Sequence, residues 1–317
     1  MSNNAVLIVV LASAVKYGTP LLFAALGELI TERSGVLNLG VEGMMLVGAV
    51  MGFWAVQKTG SLTAAVIVAA IAGASMALIH AFLVITLRAN QIVSGLALVI
   101  FAGSAGLSSY LGNTLNLADQ PARNAFGPMF PKSWQDVQVL GPIFFRQSAL
   151  VYISWLCVAL VALYLNRTRL GLNLRAVGEA PAAADAMGIN VSAYRYAHTL
   201  VGGAFAGVGG ACFTLWITPQ WVDGITAGAG WIAIALVIFA FWRPTLCLVG
   251  AYLFGAFSGI PFVFQARGIL KGIPPELFSA LPYVMTIVVL VAVSSAGAKR
   301  RLGAPAALGT PYVREER

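Results

Sequence analysis

The chain has 317 residues, of which 59% are hydrophobic and only 9% carry a charge, whereas soluble domains contain about 25% charged residues. So few polar side chains cannot cover a soluble protein of this length, and apolar segments of about 20 residues, long enough to cross a bilayer, recur throughout. We therefore predict an all-α polytopic membrane protein. The net charge of +8 fits basic residues in cytoplasmic loops and gives no reason to expect nucleic acid as a partner.

The apolar runs predict a bundle of about 8–10 transmembrane helices, at least one of them short or broken. Lys16 and Pro20 interrupt the first run, so a short surface helix followed by a shorter span is one alternative. The seventh run is short and lies between Gly228 and Pro244, which favours a broken or re-entrant helix. Glycines four residues apart predict close helix packing; they are Gly48 and Gly52, Gly203 and Gly207, and Gly255 and Gly259. The nine predicted spans cover residues 5–30, 41–57, 61–84, 91–112, 148–166, 198–217, 230–242, 244–264 and 277–295.

Two connecting segments are long. The external loop 113–147 is rich in proline and forms either an ordered cap or a mobile connection. In the cytoplasmic loop 167–197, Pro181 is well placed to begin a short helix and Gly188 to end it.

We expect residues 1–297 to form a single transmembrane domain and residues 298–317 to form a basic, loosely ordered cytoplasmic tail. The bias of lysine and arginine predicts the orientation. It places the C-terminus in the cytoplasm and, with nine spans, the N-terminus outside. Lys16, which lies within the first apolar run, is assigned to neither side of the membrane. The inside residues are Arg33, Arg88, Arg167, Arg169, Arg175, Arg195, Arg243, Lys299, Arg300, Arg301, Arg314 and Arg317, and the outside residues are Lys58, Arg123, Lys132, Arg146, Arg267 and Lys271.

A polar stretch, residues 27–46, separates the first two apolar runs and contains Glu28, Glu32, Arg33 and Glu42. One charge at the centre of a membrane helix costs about 2.5–3.5 kcal/mol, so four charges facing lipid would cost on the order of 10 kcal/mol. The stretch must therefore lie at the membrane edge or inside the bundle. It is either an interfacial turn with capping acids or a polar break that lines a gate or contacts a partner.

The negative charges of this stretch need nearby positive charges to offset them. Glu28 and Glu32 are four residues apart and would repel each other on a continuous helix. We expect arginines of the cytoplasmic loop to offset this repulsion. Asn38 or Gly40 can start the next helix, which leaves Glu42 in its first turn, where an acid complements the helix dipole.

Four sequence blocks resemble, in order, the permease subunits of ATP-binding-cassette importers of the ribose, simple-sugar and nucleoside type, a branched-chain amino acid-like permease family. The resemblance is in particular to the smaller of the two permease subunits of nucleoside uptake systems. The blocks are ITERSGVLNLGVEGMMLVGA at 30–49, ANQIVSGLAL at 89–98, GLNLRAVGEAPAAADAMGINV at 171–191 and AGWIAIALVIFAFWRP at 229–244.

The resemblance implies a cytoplasmic coupling helix that docks in a groove of a separate ATPase subunit. The chain has no GxxxxGK[ST] pattern, so ATP and Mg²⁺ are expected on the partner ATPase and no cofactor on this chain. A second permease, expected to be a different, homologous chain, and an external substrate-binding protein complete the implied assembly. The residues at the matching positions of the coupling segment are Arg175, Glu179, Pro181, Asp185 and Gly188.

Catalytic and metal sites are not predicted. His80 and His198 stand alone without clustered carboxylates, and a lone histidine in a bundle is usually structural. The three cysteines all fall in apolar runs and indicate no disulfide framework. An enzymatic function is therefore not expected.

The candidate substrate pathway consists of polar or aromatic residues at the predicted helix ends. Amides and hydroxyls suit a neutral, hydroxyl-rich solute, and intramembrane polar groups often mark such pathways. The alternatives are helix capping and interhelical bonding for the polar residues, and an interfacial belt for tryptophan. The candidates are Asn38, Glu42, Asn90, Gln91, Ser94, Asp223, Thr226 and Trp231.

The sequence thus predicts a multi-pass permease of the bacterial cytoplasmic (inner) membrane that moves nucleosides, or alternatively simple sugars, in an ATP-driven importer. One rival is a secondary transporter driven by an ion gradient, which would place acids at the mid-plane and show inverted repeats. Another is a membrane scaffold that does not transport.

Overall fold

The computed structural model describes residues 3–103, 105–118, 120–266, 280–293 and 303–314. Turns of π-helix extend α3 over Phe82–Thr86 and α10 over Phe213–Ile217, and a third, Gly141–Phe145, precedes α7. Predictions for Arg267, Lys271, residues 299–301 and Arg317 lie outside the described residues. The helices are α1 Asn3–Arg33, α2 Val41–Thr59, α3 Leu62–Ala81, α4 Gln91–Ala102, α5 Leu107–Thr114, α6 Lys132–Gln135, α7 Ala149–Arg167, α8 Arg169–Glu179, α9 Pro181–Ala186, α10 Val191–Cys212, α11 Ala229–Phe239, α12 Pro244–Ala266 and α13 Leu281–Val293.

The prediction of an all-α polytopic membrane protein is confirmed. Helix α2 has 19 residues, and α11, which corresponds to the predicted short span, has 11. Each predicted span overlaps a helix. Within the described residues, six segments are long and apolar enough to cross a membrane: Val6–Arg33, Leu62–Thr86, Gln91–Thr114, Ala149–Arg167, Val191–Ile217 and Pro244–Pro261.

Helix α1 is continuous, so the alternative of a surface helix followed by a shorter span is wrong. Pro20 lies inside the helix, where proline removes one backbone hydrogen bond and costs about 3 kcal/mol in isolation. Packing offsets this cost, because α1 runs through the core and its residues from Leu21 to Ile30 are almost entirely buried. The hydroxyl of Thr19 donates to the Val15 carbonyl at 2.8 Å within the same turn region.

Helices α2, α3 and α10 pack closely at glycines. A Cβ at Gly207 would lie 2.1 Å from the carbonyl oxygen of Ala69, and a Cβ at Gly48 would lie 2.3 Å from Cα of Gly207. A Cβ at Gly203 would lie 2.3 Å from Cβ of Ala77. The predicted use of glycine for tight packing is thus confirmed. Another helix also lies within 3.1 Å of a Cβ added at the remaining predicted glycines, Gly52, Gly255 and Gly259.

Loop 113–147, which the sequence predicts to be external, is an ordered cap. The side chain of Gln57, near the end of α2, donates to the carbonyl of Pro121 at 2.9 Å and accepts from the Arg123 N–H at 3.0 Å. The Ala122 N–H donates to the Pro219 carbonyl at 2.9 Å. These bonds tie the loop to α2 and to the segment that follows α10.

Helix α10 begins at Val191, seven residues before the predicted start of the sixth span. The side chain of Asn190 caps it by accepting from the Ala193 N–H at 2.9 Å. The sixth span therefore starts earlier than predicted, and helices α8, α9 and the first turns of α10 occupy most of the segment 167–197.

Candidate functional site

The two acids near the end of α1 are held by neutral donors. Glu28 and Glu32 are each only 1% exposed. The Asn38 N–H donates to Oε1 of Glu28 at 3.2 Å, and the indole N–H of Trp242 donates to Oε2 of Glu32. Within the described part of the chain no arginine forms an ion pair with either acid. The expected compensation by loop arginines is wrong, because the buried Arg195 donates instead to a carbonyl near the C-terminus.

Polar side chains of α3 and α4 hold the non-helical connection 34–40 between α1 and α2. Oε1 of Gln91 accepts from the Leu37 N–H at 2.7 Å, and the ring Nε2 of His80 donates to the Leu37 carbonyl at 3.1 Å. Nδ1 of His80 lies 2.9 Å from Oγ of Ser94. All three side chains are buried. Asn38 belongs to the same region and accepts through Oδ1 from the backbone N–H two residues later. The structural role predicted for His80 matches these contacts.

Glu42 joins the start of α2 to the start of α11. Its Oε1 accepts from the hydroxyl of Thr226 at 2.6 Å and from the Gly228 N–H at 2.9 Å, and its Oε2 accepts from the Gly230 N–H at 2.7 Å. N–H groups in the first turn of a helix have no partner within the helix, and a negative charge there is favoured by the dipole. Glu42 does lie in the first turn of α2, but its carboxylate caps α11.

The remaining pathway candidates are more accessible. Asn90 caps α4 by accepting from the Val93 N–H at 3.1 Å. Asp223 is exposed and accepts from the hydroxyl of Ser109 at 3.1 Å. Trp231 lies in the first turn of α11 and is 38% exposed. The structure thus separates the buried candidates around the starts of α2, α4 and α11 from the exposed Asn90, Asp223 and Trp231.

The predicted short helix in the cytoplasmic loop is α9. It begins at Pro181, and Gly188 follows it with φ +82°, a left-handed conformation that glycine adopts easily. Asp185 forms an ion pair with Arg314 at 3.3 Å. The Met187 side chain, just after the helix, is 82% exposed. Three of the predicted coupling residues therefore lie on this small helix or directly after it.

The other two predicted coupling residues lie on α8. Arg175 is half-buried and lines a cavity with Arg33. Glu179, the last residue of α8, accepts from the Ala306 N–H at 3.2 Å. Neither side chain belongs to α9 itself, although both lie on the helix that precedes it.

Residues 303–314, which we call the C-terminal strap, pack across this end of the bundle. The Ala307 N–H donates to the Gly178 carbonyl at 2.9 Å, and Nη1 of Arg195 donates to the Thr310 carbonyl at 3.1 Å. Tyr312 packs on a small cluster of apolar side chains from α8, α9 and α10. The expectation of a loosely ordered tail is wrong for these residues, because backbone bonds and the buried Arg195 hold them in place.

Sequence reasoning missed both α8 and the strap. Helix α8 has a readable signal, since the hydroxyl of Thr168 caps it by accepting from the Gly171 N–H at 3.0 Å, and Leu174 and Val177 bury one face. The strap has no such signal, because its contacts are largely through backbone groups that any sequence possesses.

Several arginines cluster at one end of the bundle. Arg33, Arg175 and Arg243 line one cavity, and the strap links Arg195 to the same region. We call this the arginine-rich end. Lys58 lies at the opposite end of α2 with the external loop. Four of the arginines that the sequence assigns to one side, Arg33, Arg175, Arg195 and Arg243, therefore lie at one end.

Comparison with known proteins identifies the family. The model of the permease component of branched-chain amino acid transport systems matches residues 10–290. A putative glucose ABC transporter permease protein of Haloferax volcanii is 41% identical over 96% of this chain and 97% of its own. A nucleoside ABC transporter permease protein of Lactococcus lactis is 36% identical over 89% of this chain and 91% of its own. A guanosine ABC transporter permease protein of Bacillus subtilis is 34% identical, with 98% of each chain covered. No solved structure matches the chain.

A bundle of apolar helices, matched over nearly its whole length by a permease model, is a transmembrane permease subunit rather than a catalytic subunit. The chain belongs to the family of branched-chain amino acid transport permease components, and its relatives are permeases of the ATP-binding-cassette type.

Proposed function

We propose that this permease forms half of the pathway of an ATP-driven importer in the cytoplasmic membrane of a bacterium, with its arginine-rich end in the cytoplasm. The excess of arginine at that end supports the orientation. A partner ATPase binds ATP and Mg²⁺, an external binding protein delivers the solute, and a second permease, homologous but different, completes the cavity. Family membership is the observation that carries this proposal.

Helix α9 is the proposed contact with the ATPase. It is short, packs on α8 at the arginine-rich end, and is followed by the highly exposed Met187. The buried Ala184 of α9 packs with Val177 of α8 and Val191 of α10 and so holds the helix in place. An exposed apolar residue on a well-anchored helix suits a groove in a partner protein. Movement of the ATPase would therefore be transmitted to α8 and α10 through this apolar cluster.

The pathway is proposed along the side of α11 that carries Trp231, and Asp223 is a second exposed candidate for it. These two exposed side chains are available to a solute, and an indole ring can stack on a base or on a sugar face. The buried candidates, including Glu42 and Gln91, shape the walls by fixing helix ends. They would influence the solute indirectly, by positioning the helices that line the pathway.

Nucleosides are the proposed substrates. They are neutral and rich in hydroxyls, and two of the relatives are named as nucleoside and guanosine permeases. Simple sugars are the second candidate, since the Haloferax relative is named as a putative glucose permease. Uptake of radiolabelled guanosine and glucose by the complete transporter distinguishes the two.

The rival functions have less support. A secondary transporter would use acids exposed to a central pathway, whereas Glu28, Glu32 and Glu42 are buried and each accepts hydrogen bonds from protein donors. Uptake by the purified chain without an ATPase would support that rival. A scaffold would leave uptake unchanged when the chain is deleted.

Substitution of the exposed methionine tests the coupling proposal. We expect Met187→Glu to reduce solute-stimulated ATP hydrolysis by the reconstituted transporter about tenfold, because a charge would be buried in the ATPase groove. Met129→Glu is the matched control, since Met129 is 62% exposed in the external loop. It should leave hydrolysis unchanged. Full stimulation in the Met187 variant would remove α9 from the ATPase interface.

A further inference from the structure

A cavity at the arginine-rich end has no role in the transport mechanism above. It has a volume of about 630 Å³ and lies where the ends of α1 and α7 meet α8 and the start of α12. Arg33, Arg175 and Arg243 line it, and Glu179 is its one acid among the described residues. The lining therefore has a formal charge of +2, and the acid already accepts from a backbone N–H of the strap.

The arginines of this cavity retain unused hydrogen-bond donors. Arg33 donates through Nη1 and Nη2 to the carbonyls of Gly303 and Trp242 at 3.2 and 3.1 Å. The Nε groups of Arg33 and Arg175 are buried and have no acceptor in the described part of the protein. Glu179 attracts Arg33, whereas Arg175 and Arg243 repel it. The two buried Nε groups cannot themselves touch a ligand, but the formal charge of +2 on the lining favours an anion whose several oxygens accept from guanidinium N–H groups.

The apolar wall of the cavity shows what kind of anion fits. Ala162 and Leu165 belong to the last turns of α7, a helix that can cross the membrane, and Leu172 of α8 is 58% exposed. Leu163 on the same part of α7 is 55% exposed. The cavity thus opens at the ends of membrane helices, at the depth of lipid headgroups, and continues onto an apolar surface.

We propose that this cavity binds the phosphate of an anionic phospholipid, with an acyl chain lying against α7. Basic pockets between helices at the cytoplasmic side are suited to such headgroups. Free phosphate shares the anionic chemistry, but it would leave the apolar wall unused. The proposal requires only that the chain spans a membrane, so it does not depend on the solute or on the ATPase.

Lipid retention by the purified permease tests this proposal. Native mass spectrometry in a mild detergent, with added phosphatidylglycerol or phosphatidylcholine, should show preferential retention of phosphatidylglycerol. We expect the double variant Arg175→Gln and Arg243→Gln to weaken that retention about tenfold. Both arginines replaced by lysine should keep a substantial part of it. Arg33 is left in place because it bonds the backbone.

The double variant Arg167→Gln and Arg169→Gln is the control, since it removes the same charge from exposed positions at the same end. It should retain lipid as the wild type does. Equal loss in this control, or equal binding of the two lipids, would overturn the proposal. So would displacement of the lipid by millimolar inorganic phosphate, which would indicate a site for free phosphate. Melting temperatures establish that each variant is folded, and the single variants Arg175→Gln and Arg243→Gln serve if the pair is not.

Discussion

At the scale of single residues, Glu42 shows how a charge is used inside this bundle. A carboxylate facing lipid is costly, but this one accepts three hydrogen bonds, two of them from backbone N–H groups at the start of α11. Charge-assisted bonds of this kind are about twice as strong as neutral ones. The side chain therefore fixes where a short helix begins inside the protein.

Replacement of this carboxylate should destabilise the bundle. In Glu42→Gln one oxygen becomes an amide NH₂, which would face a backbone N–H and leave it without an acceptor. We expect a loss of about 1–3 kcal/mol in the free energy of unfolding, seen as a lower melting temperature in detergent. Asp223→Asn is the control, because that exposed carboxylate accepts a single hydroxyl. Equal melting temperatures for the Glu42 variant and the wild type would refute the capping role.

At the scale of elements, the close packing of α2, α3 and α10 depends on glycine, which has no side chain. Gly73 of α3 packs on Gly203 and Gly207 of α10, and Gly48 of α2 meets the same part of α10. Lipid tails provide no hydrophobic drive for helix association in a membrane, so close van der Waals packing must supply the attraction.

A single methyl group at this crossing should be disruptive. In Gly207→Ala the Cβ would lie 2.1 Å from the Ala69 carbonyl oxygen, which forces the helices apart. We expect a loss of about 1–3 kcal/mol, measured by thermal unfolding and by the monodisperse yield after purification. Gly127→Ala is the control, since nothing lies within 4 Å of that added Cβ. A variant at Gly207 as stable as this control would show that the helices can separate at no cost.

The sequence predicts some of these elements well and others poorly, for physical reasons. The length of the apolar runs identifies the long helices, and the proline and glycine at positions 181 and 188 identify α9. Both signals are local in the sequence. The buried partners of Glu28 and Glu32 are Asn38 and Trp242, and the second lies 210 positions away from its acid. Such a pairing depends on how distant helices pack, and the same limit applies to the strap.

At the scale of the whole molecule, the strap connects five parts of the arginine-rich end. It bonds α1 through Arg33, the connection after α1 through Gly35, α8 through Gly178, α9 through Asp185 and α10 through Arg195. In the ion pair with Asp185 the Arg314 side chain is exposed, so the pair by itself contributes little to stability. The backbone bonds and the packing of Tyr312 hold the segment.

Removal of residues 303–317 should loosen α8 and α9 without unfolding the bundle. We expect faster hydrogen exchange of the backbone amides of residues 182–186 and of the last turn of α8, because Arg195 and Glu179 lose their partners in the strap. Removal of residues 315–317 alone is the control. Unchanged exchange in α8 and α9 after the longer truncation would show that the strap does not stabilise them.

The bond between Glu42 and the start of α11 has a consequence for motion during a transport cycle. Because α2 is buried and the Glu42 carboxylate in its first turn binds the start of α11, the two helices should move together as one rigid unit. Bending is then left to the junction after α11, where Phe241 and Trp242 adopt consecutive left-handed conformations with φ of 50° and 53°. Spin labels on α2 and α11 should keep a constant separation throughout the cycle, while a label on α12 should move relative to both.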